Sequence, residues 1–532
     1  MLGPPKVRAL DRPVTISLES LVPADHFYRH LDADLDLTFV REWVEDRYKA
    51  GGRPSIDPVV FFKLQLIMFF EGLRSERRLI ETASLHLAHR WYLGYGLDEP
   101  LPEHSSLTRI RQRLGLPVFQ RFFEHVVDLC QQAGLLWGRE LFFDATKVRA
   151  NAALNSVVPR FYLQAKEQAK EHLADLFAAD SEPVVDDAAA PGTLLPAANA
   201  VAPSPELPPP TRLPTMLTPE AEAQLAEANQ AVWKVLDHRR LDPERGAGSS
   251  YQRMTDRRAS PTDPDAALMN DGRRPALGYH DHYVVDGGRS RIILHALVTP
   301  ADVMENTPML DLLWRVRFRW QLHPKRVVGD TTYGTIENIQ AVENGGLRAY
   351  VPLPNWDRTP FYGPSQFTYD RERDEYRCPE GHRLPRWTAK YTEELTVYRA
   401  DAATCNACPV KAACTTSERG RTIHRSFHAA YLERVQGYHE TPGYQKAMRK
   451  RSVWVEPLFG EAKQWHGLRQ FRLRGLDKVN MEALLVATGQ NLKRWLVARG
   501  WGRRHGPQGS LLALPAPPAS LSFFGAGPTP AS

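Results

Sequence analysis

At 532 residues the chain is too long for one ordinary core, and two to four units of roughly 100–200 residues are expected. Hydrophobic residues make up 42% and charged residues 24%, which is globular composition and excludes a fibrous or wholly disordered chain. The net charge of +6 is mild, but Gln445 to Lys478 carries nine Lys/Arg against three Asp/Glu, an excess equal to that of the whole chain. Such a stretch suits a polyanion such as DNA, or is a solvated helix face. Met1 to Pro13 lacks an apolar h-region, so no signal peptide is expected, and no run approaches the ~18 apolar residues of a membrane span.

Residues 20 to about 135 read as helical. Asp57-Pro58 resembles an N-cap followed by proline at the first helical position, and VVFFKLQLIMFFEGL is too apolar for a surface helix. Ser75 is placed to cap the next helix. After the Pro-rich DEPLPEHS, a short helix is expected from Ser105 to Leu114, with Leu107, Ile110 and Leu114 inward and Arg109, Gln112 and Arg113 outward. That arrangement is compatible with helix-turn-helix DNA binding and equally with plain helical packing. Cys130, on the apolar FFEHVVDLC, reads as a core residue.

LFFDAT at 141–146 is a short apolar run ending in a carboxylate, as expected for a buried strand. A helix is expected over 161–176, then an Ala/Pro/Asp-rich disordered linker from Ala178 to Met216, then a second helix from Pro219; together these read as an insertion. GYHDHYVVD and RSRIILHALVTPA, joined through Asp286-Gly287-Gly288, predict a hairpin. A helix over Asn306–Arg319, the strand KRVVGDTTYG ending in Asp330, a helix over Thr335–Asn344 and the strand RAYVPLP follow. Residues 355–430 hold four cysteines and read as a second insertion. The chain is helical again from about Pro442 to Trp495, and the Gly/Pro/Ala/Ser-rich tail after Gly506 reads as disordered. The middle is therefore a mixed α/β sheet with a late helix.

Asp144 and Asp330 each fall just past the apolar part of a predicted strand. Carboxylates on adjacent strand ends can converge, and hard oxygen ligands suit Mg²⁺ or Mn²⁺; the same residues also suit plain strand-end caps. Glu456 supplies a third carboxylate from a helix, with Lys463 two turns on and on the same face. Pro457 means that this helix begins or kinks at Glu456. Glu461 is the alternative carboxylate, but it has no lysine at the matching offset. In the cysteine region, Cys378, Cys405, Cys408 and Cys414 offer four thiolates, which favours tetrahedral Zn²⁺, with an iron–sulfur cluster or unliganded thiols as rivals and His382 as a substitute ligand.

These stretches resemble bacterial insertion-sequence transposases of the DDE class. The likeness is carried by HFYRHLDADLDLTFVREWVEDRYKAGGRPSIDPVVFFKLQLIMFFEGLRSERRLIE, PLPEHSSLTRIRQRL, LFFDATKVRANAA, SPTDPDA with GYHDHYVVD, and the pair VVGDTTYGTIENI and SVWVEPLFGEAKQWHGLRQFRLRG. The resemblance implies an RNase H-like catalytic domain over 136–354 and 431–505, interrupted by the insertion at about 161–255 and by a Cys-rich metal ribbon at 355–430. It implies an all-α DNA-binding domain over 1–135, and the disordered tail is 506–532. It implies that Asp144, Asp330 and Glu456 hold the catalytic Mg²⁺ or Mn²⁺, that Arg109, Arg113, Arg449, Arg451 and Lys463 contact DNA, and that the cysteines hold a structural Zn²⁺. Relatives often show Tyr, Arg, Glu and Lys at fixed spacing around the last carboxylate; here Glu456 and Lys463 fit, whereas Arg449 stands at the Tyr position and Ser452 at the Arg position, with Arg451 one residue early. The implied activity is cleavage at transposon ends and strand transfer into target DNA by a dimer or larger assembly, in the cytoplasm at the nucleoid. A DNA-binding protein that no longer cuts, or a nuclease without strand transfer, are the alternatives.

Overall fold

The computed structural model describes residues 13, 15–48, 55–159, 163, 258–272 and 274–502. The expected first insertion, with its two helices and linker, falls almost wholly outside the described residues, as does the tail after 506.

Seven helices come first: Leu18–Leu21, Phe27–Asp34, Phe39–Val44, Pro58–Phe70, Glu76–Leu85, Leu87–Leu93 and His104–Gln132. Asp57 caps the fourth, its carboxylate accepting the Val59 N–H at 2.8 Å with Pro58 as the first helical residue. Nine of that helix's 13 residues are buried, so it runs through the core, as its uniformly apolar sequence requires. Ser75 accepts the Arg78 N–H at the start of the next. The His104–Gln132 helix is broken at Gly115, whose φ of 64° an L side chain resists, and Pro117 follows two residues later; the segment up to Leu114 is thus a short helix in its own right.

The strands are β1 (Glu140–Arg149), β2 (Val158–Pro159), β3 (Arg258–Ala259), β4 (Ala267–Asp271), β5 (Arg274–Asp286), β6 (Ile293–Pro300), β7 (Arg326–Val328) and β8 (Arg348–Tyr350). β2 and β3 pair only with each other. In the main sheet β5, β1, β7 and β8 lie side by side, and β4 and β6 both pair with β5. Gly278 pairs with Arg149 of β1 and with Ala267 of β4, while Tyr279 pairs with Val148 and with Pro300 of β6, so β4 and β6 share the β5 edge away from β1. The β1–β5 and β5–β6 pairs are antiparallel; β1–β7 and β7–β8 are parallel. The helices Met309–Trp320 and Ile336–Asn344 flank β7, and Pro442–Trp454, Glu456–Trp465 and Leu476–Ala498 close the fold. This is a mixed α/β architecture.

One cluster of buried apolar residues runs from Val22 through Phe123 and Val284 to Leu496, so the first helices and the main sheet share a core. The Leu476–Ala498 helix joins them. Its Gly489 admits the Phe69 ring so closely that a Cβ there would stand 2.4 Å from it. Its Asn480 and Asn491 face the open edge of β6. Asn480 accepts the Val298 N–H at 2.8 Å and donates to the Val298 carbonyl at 3.0 Å. Asn491 does the same at Ile293, at 2.9 and 2.8 Å. Each primary amide thus replaces the peptide of a missing neighbour strand.

Residues 368–426 form a second sheet, β9 (Thr368–Asp370), β10 (Glu375–Arg377), β11 (Arg383–Lys390), β12 (Leu395–Arg399) and β13 (Thr422–Ser426), antiparallel throughout in chain order. It has a small core of its own, including Phe367, Tyr376, Leu384, Tyr398 and Ile423.

Candidate functional site

Asp144 lies within β1 rather than at its end. The strand runs on to Arg149 because β5 pairs with it residue by residue from Leu141 to Arg149. Asp330 stands two residues beyond β7, where its carboxylate caps a turn by accepting the Thr332 N–H at 2.8 Å. The parallel register that sets Phe142 beside Val328 brings Asp330 alongside Asp144 if continued two residues on. Asp144 is 8% exposed. Burial pushes its carboxyl up to about 7; the negative charges of Asp330 and Glu305 add to the shift, while Arg451 and the Ala145 N–H oppose it.

Glu456 comes from a helix late in the chain. The chain does not run as one helix through MRKRSVWVEPLFGEAKQWHG: the Pro442–Trp454 helix ends, Val455 intervenes, and a new helix starts at Glu456-Pro457. Proline at the second position costs no hydrogen bond there, so the break falls where the sequence allows it. Arg451, on the last turn of the first helix, joins the two acids: its guanidinium lies 3.3 Å from Asp144 Oδ2 and 3.9 Å from Glu456 Oε1. Its neighbour Lys450 is anchored to Glu140, a 2% exposed residue of β1, at 2.5 Å, and Arg326 of β7 reaches the same carboxylate at 2.6 Å. Glu140 therefore ties β1, β7 and the Arg451 helix together.

Asp330 is thus a charged neighbour of Asp144, and Arg451 links Asp144 to the exposed Glu456. Among the described residues, however, no three His, Cys, Asp or Glu side chains stand close enough together to share one metal ion. The donor set still fits a hard cation: a carboxyl pushed toward its neutral form by burial, with two acidic neighbours adding to the shift, would regain its charge beside a divalent ion. Glu461 does not compete for this role. Although burial opposes it, His466, Lys493 and Arg494 hold its carboxyl well below the usual range, so its charge is already spent on cations.

Lys463 follows Glu456 by seven residues on the Glu456–Trp465 helix. It is half-buried, and its charged neighbours are Asp271 and Asp281, which offset the downward push of burial. Asp281 is fully buried with both carboxylate oxygens unpartnered, and burial drives it toward the neutral form. Arg449 is exposed beside Lys446 in an open groove of about 880 Å³ that Trp137 and Trp454 also line. Arg109 and Arg113 are exposed on the His104–Leu114 segment, and Arg113 lies over the Tyr48 ring at 4.8 Å. The sequence did not single out Glu305, which a loop after β6 brings near Asp144. Nor did it single out Arg111, which is buried against Glu76 together with Arg472, 3.0 Å from the same carboxylate.

Cys378, Cys405, Cys408 and Cys414 are free thiols lining one small cavity of about 20 Å³ together with His382. A turn closed by the Cys378 N–H on the His382 carbonyl at 3.0 Å, with Gly381 at φ 81°, aims Cys378 there; Cys405 and Cys414 come from two short helices. Burial raises the Cys414 thiol, and the other three cysteines add to that shift. Four soft donors around one cavity fit Zn²⁺ by chemistry, although they are not drawn into a shared coordination geometry. Cys130 is separate: it is buried in the main core, and burial pushes its thiol up to about 12.

No helix among the described residues is long and apolar enough to cross a membrane. Two family models match the chain: "Transposase DDE domain" over residues 377–496 and "Transposase domain (DUF772)" over residues 16–113. The first range contains Glu456 and all four clustered cysteines; Asp144 and Asp330 lie outside both. Comparison with curated proteins and with solved structures gives no match.

Proposed function

From the premise that this chain is an insertion-sequence transposase of the DDE class, we propose that Asp144, Asp330 and Glu456 are its catalytic carboxylates and that it cuts transposon ends and joins them to target DNA. The observation that carries this reading is the Arg451 guanidinium, which touches both Asp144 and Glu456, residues far apart in the chain. The sheet order is compatible with an RNase H-like core over 136–354 and 431–505, preceded by a helical DNA-binding domain over 1–135.

In this reading Asp144, Asp330 and Glu456 would hold the divalent ions. Bound Mg²⁺ or Mn²⁺ would supply Lewis-acid activation of a water or a 3′-hydroxyl and stabilise the departing oxygen. In the first step water gives up a proton, its oxygen bonds to the scissile phosphorus and the 3′ oxygen leaves as a hydroxyl; in the second that 3′-hydroxyl gives up its proton and bonds to a target phosphorus, whose bond to the target 3′ oxygen breaks, so that this oxygen leaves as a hydroxyl. No covalent bond to the protein forms. Arg451 is the resident cation between the acids and turns to a phosphate oxygen when DNA arrives. Arg449, Lys463, Arg109 and Arg113 hold the backbone of double-stranded ends and target. The four cysteines would hold one structural Zn²⁺, which would stabilise the fold of 368–426. Pairing two ends calls for a dimer or more, working at the nucleoid in the cytoplasm.

One observation favours the rival reading, a DNA-binding protein that no longer cuts: no three metal-ligating side chains are grouped among the described residues. An assay with end-containing DNA and Mg²⁺ separates the cases. Cleavage plus joined product is expected, and cleavage without joining would make the chain a nuclease. Asp330→Ala is expected to lower cleavage by about 10³-fold or more while leaving DNA binding within about twofold. Wild-type cleavage by that variant would remove Asp330 from the site.

A further inference from the structure

The second sheet carries a surface that the cleavage site does not use. Trp387 is 59% exposed on β11. It sits where the β11–β12 register slips: Arg386 pairs with Tyr398 and Thr388 with Val397, so Trp387 is the extra residue of a β-bulge. Bulges re-aim a side chain out of the regular alternation, and here the side chain is a large aromatic turned to solvent. One ring face is already occupied, since the Arg399 guanidinium stands 4.9 Å from the ring centre and is itself pinned by donating to the Arg419 carbonyl at 2.7 Å. The ring is therefore held in one orientation with its other face available.

An open groove of about 1000 Å³ runs beside it, lined by Arg377, Arg383, Arg386, Arg399 and Trp387, with Asp401 as its one carboxylate. Asp401 is turned to cap its own helix, accepting the Thr404 N–H at 2.9 Å. Arg377 and Arg383 share a single buried partner, Glu375, and Arg386 pairs with Asp374 at 3.5 Å, yet the three side chains remain 40, 62 and 53% exposed. Their donors are thus oriented without being used up.

We infer that this groove binds single-stranded DNA, one unpaired base stacking on Trp387 and the adjoining phosphates held by Arg383 and Arg386. Charge selects a polyanion, and a lone ring face selects an unstacked base, because in a duplex both faces of every internal base are covered. The inference rests on the transposase reading for the presence of such a strand, which cutting at a DNA end provides. His382 and Ala400 line both this groove and the thiol cavity, so the fold around the cysteines also shapes the groove.

The test uses the full chain, without added Mg²⁺, and fluorescence anisotropy of a labelled oligothymidine and of a blunt duplex. Trp387→Ala is expected to weaken oligothymidine binding about tenfold and duplex binding less than twofold, and Trp387→Phe to restore most of the loss. Arg383→Ala with Arg386→Ala is expected to flatten the salt dependence of oligothymidine binding by about 1.4 in log–log slope. Unchanged oligothymidine affinity in Trp387→Ala overturns the inference, as does an equal loss on both DNAs. A fall in mass from dimer to monomer in that variant, read by light scattering, overturns it by making Trp387 a contact between chains. If the transposase reading fails instead, cleavage assays on Asp330→Ala show it while the oligothymidine results stand.

Discussion

The sheet that carries Asp144 and the sheet that carries the cysteines meet the demand for burial in different ways. The first packs through two buried clusters against the helices before residue 132 and the Leu476–Ala498 helix, and it buries acidic side chains such as Glu140 and Asp281. The second has seven buried residues in its own cluster and leaves much of β11 exposed. A large core can tolerate buried polar groups and use them to hold a reactive carboxylate. A core of seven residues cannot stabilise a fold of about sixty residues alone, and such folds need a cross-link or a metal.

Chelation bears on that contrast most strongly. Zinc bound to thiolates contributes on the order of 10 kcal/mol to small folds. If the four cysteines hold the proposed Zn²⁺, a strong chelator, or Cys408→Ser, is expected to take the metal content from one per chain to none and to abolish amide-exchange protection over 368–426 while β1, β5 and β6 stay protected. Persisting protection in the second sheet after metal removal would break the comparison. In the main sheet the largest expected effect is smaller. Lys450→Met leaves Glu140 with Arg326 alone, and loss of one partner of a buried ion pair costs about 3 kcal/mol. The urea midpoint should fall accordingly, with no change in metal content; a shift under about 0.5 kcal/mol would mean that Arg326 suffices.

Acid gives the smallest effect and again separates the sheets. Burial holds His282 and His295 down at about 3, against 6.5 when unfolded. Each therefore contributes stability that is full above pH 6.5 and is lost as pH falls toward 3, because the unfolded chain takes up the proton first. Between pH 7 and pH 5 that amounts to about 2 kcal/mol per histidine. His282→Gln is expected to lessen the acid sensitivity of the main sheet by about that much, as read by denaturant titrations at the two pH values. Equal sensitivity in variant and parent would place the titration elsewhere.

What the sequence made legible were local features. The Asp57-Pro58 cap, the apolar helix after it and the β5–β6 hairpin each rest on neighbours within a few residues, the four cysteines crowd into 37, and each is present in the fold. Asp330 at a strand end was legible for the same reason. Asp144 looked like a strand terminus because the apolar run stops there, whereas nine-residue pairing with β5 carries the strand on through polar residues. Two turns of helix placed Lys463 on the Glu456 face, but an exposed start and a half-buried end give those residues different neighbours. Glu305 beside Asp144, and Glu76 between Arg111 and Arg472, come from packing between distant segments, which no local spacing encodes.

Asn480 and Asn491 also set a chemical limit on the protein's lifetime. Each side chain both gives and takes a hydrogen bond at the backbone of β6. Hydrolysis of either amide to a carboxylate would set an anion against a peptide carbonyl where a donor had been, loosening the last helix from the strand it covers. The bared strand could then recruit another chain along its length. At 6% and 0% exposure the two amides are shielded from water, so slow ageing of this kind must wait on prior opening of the helix.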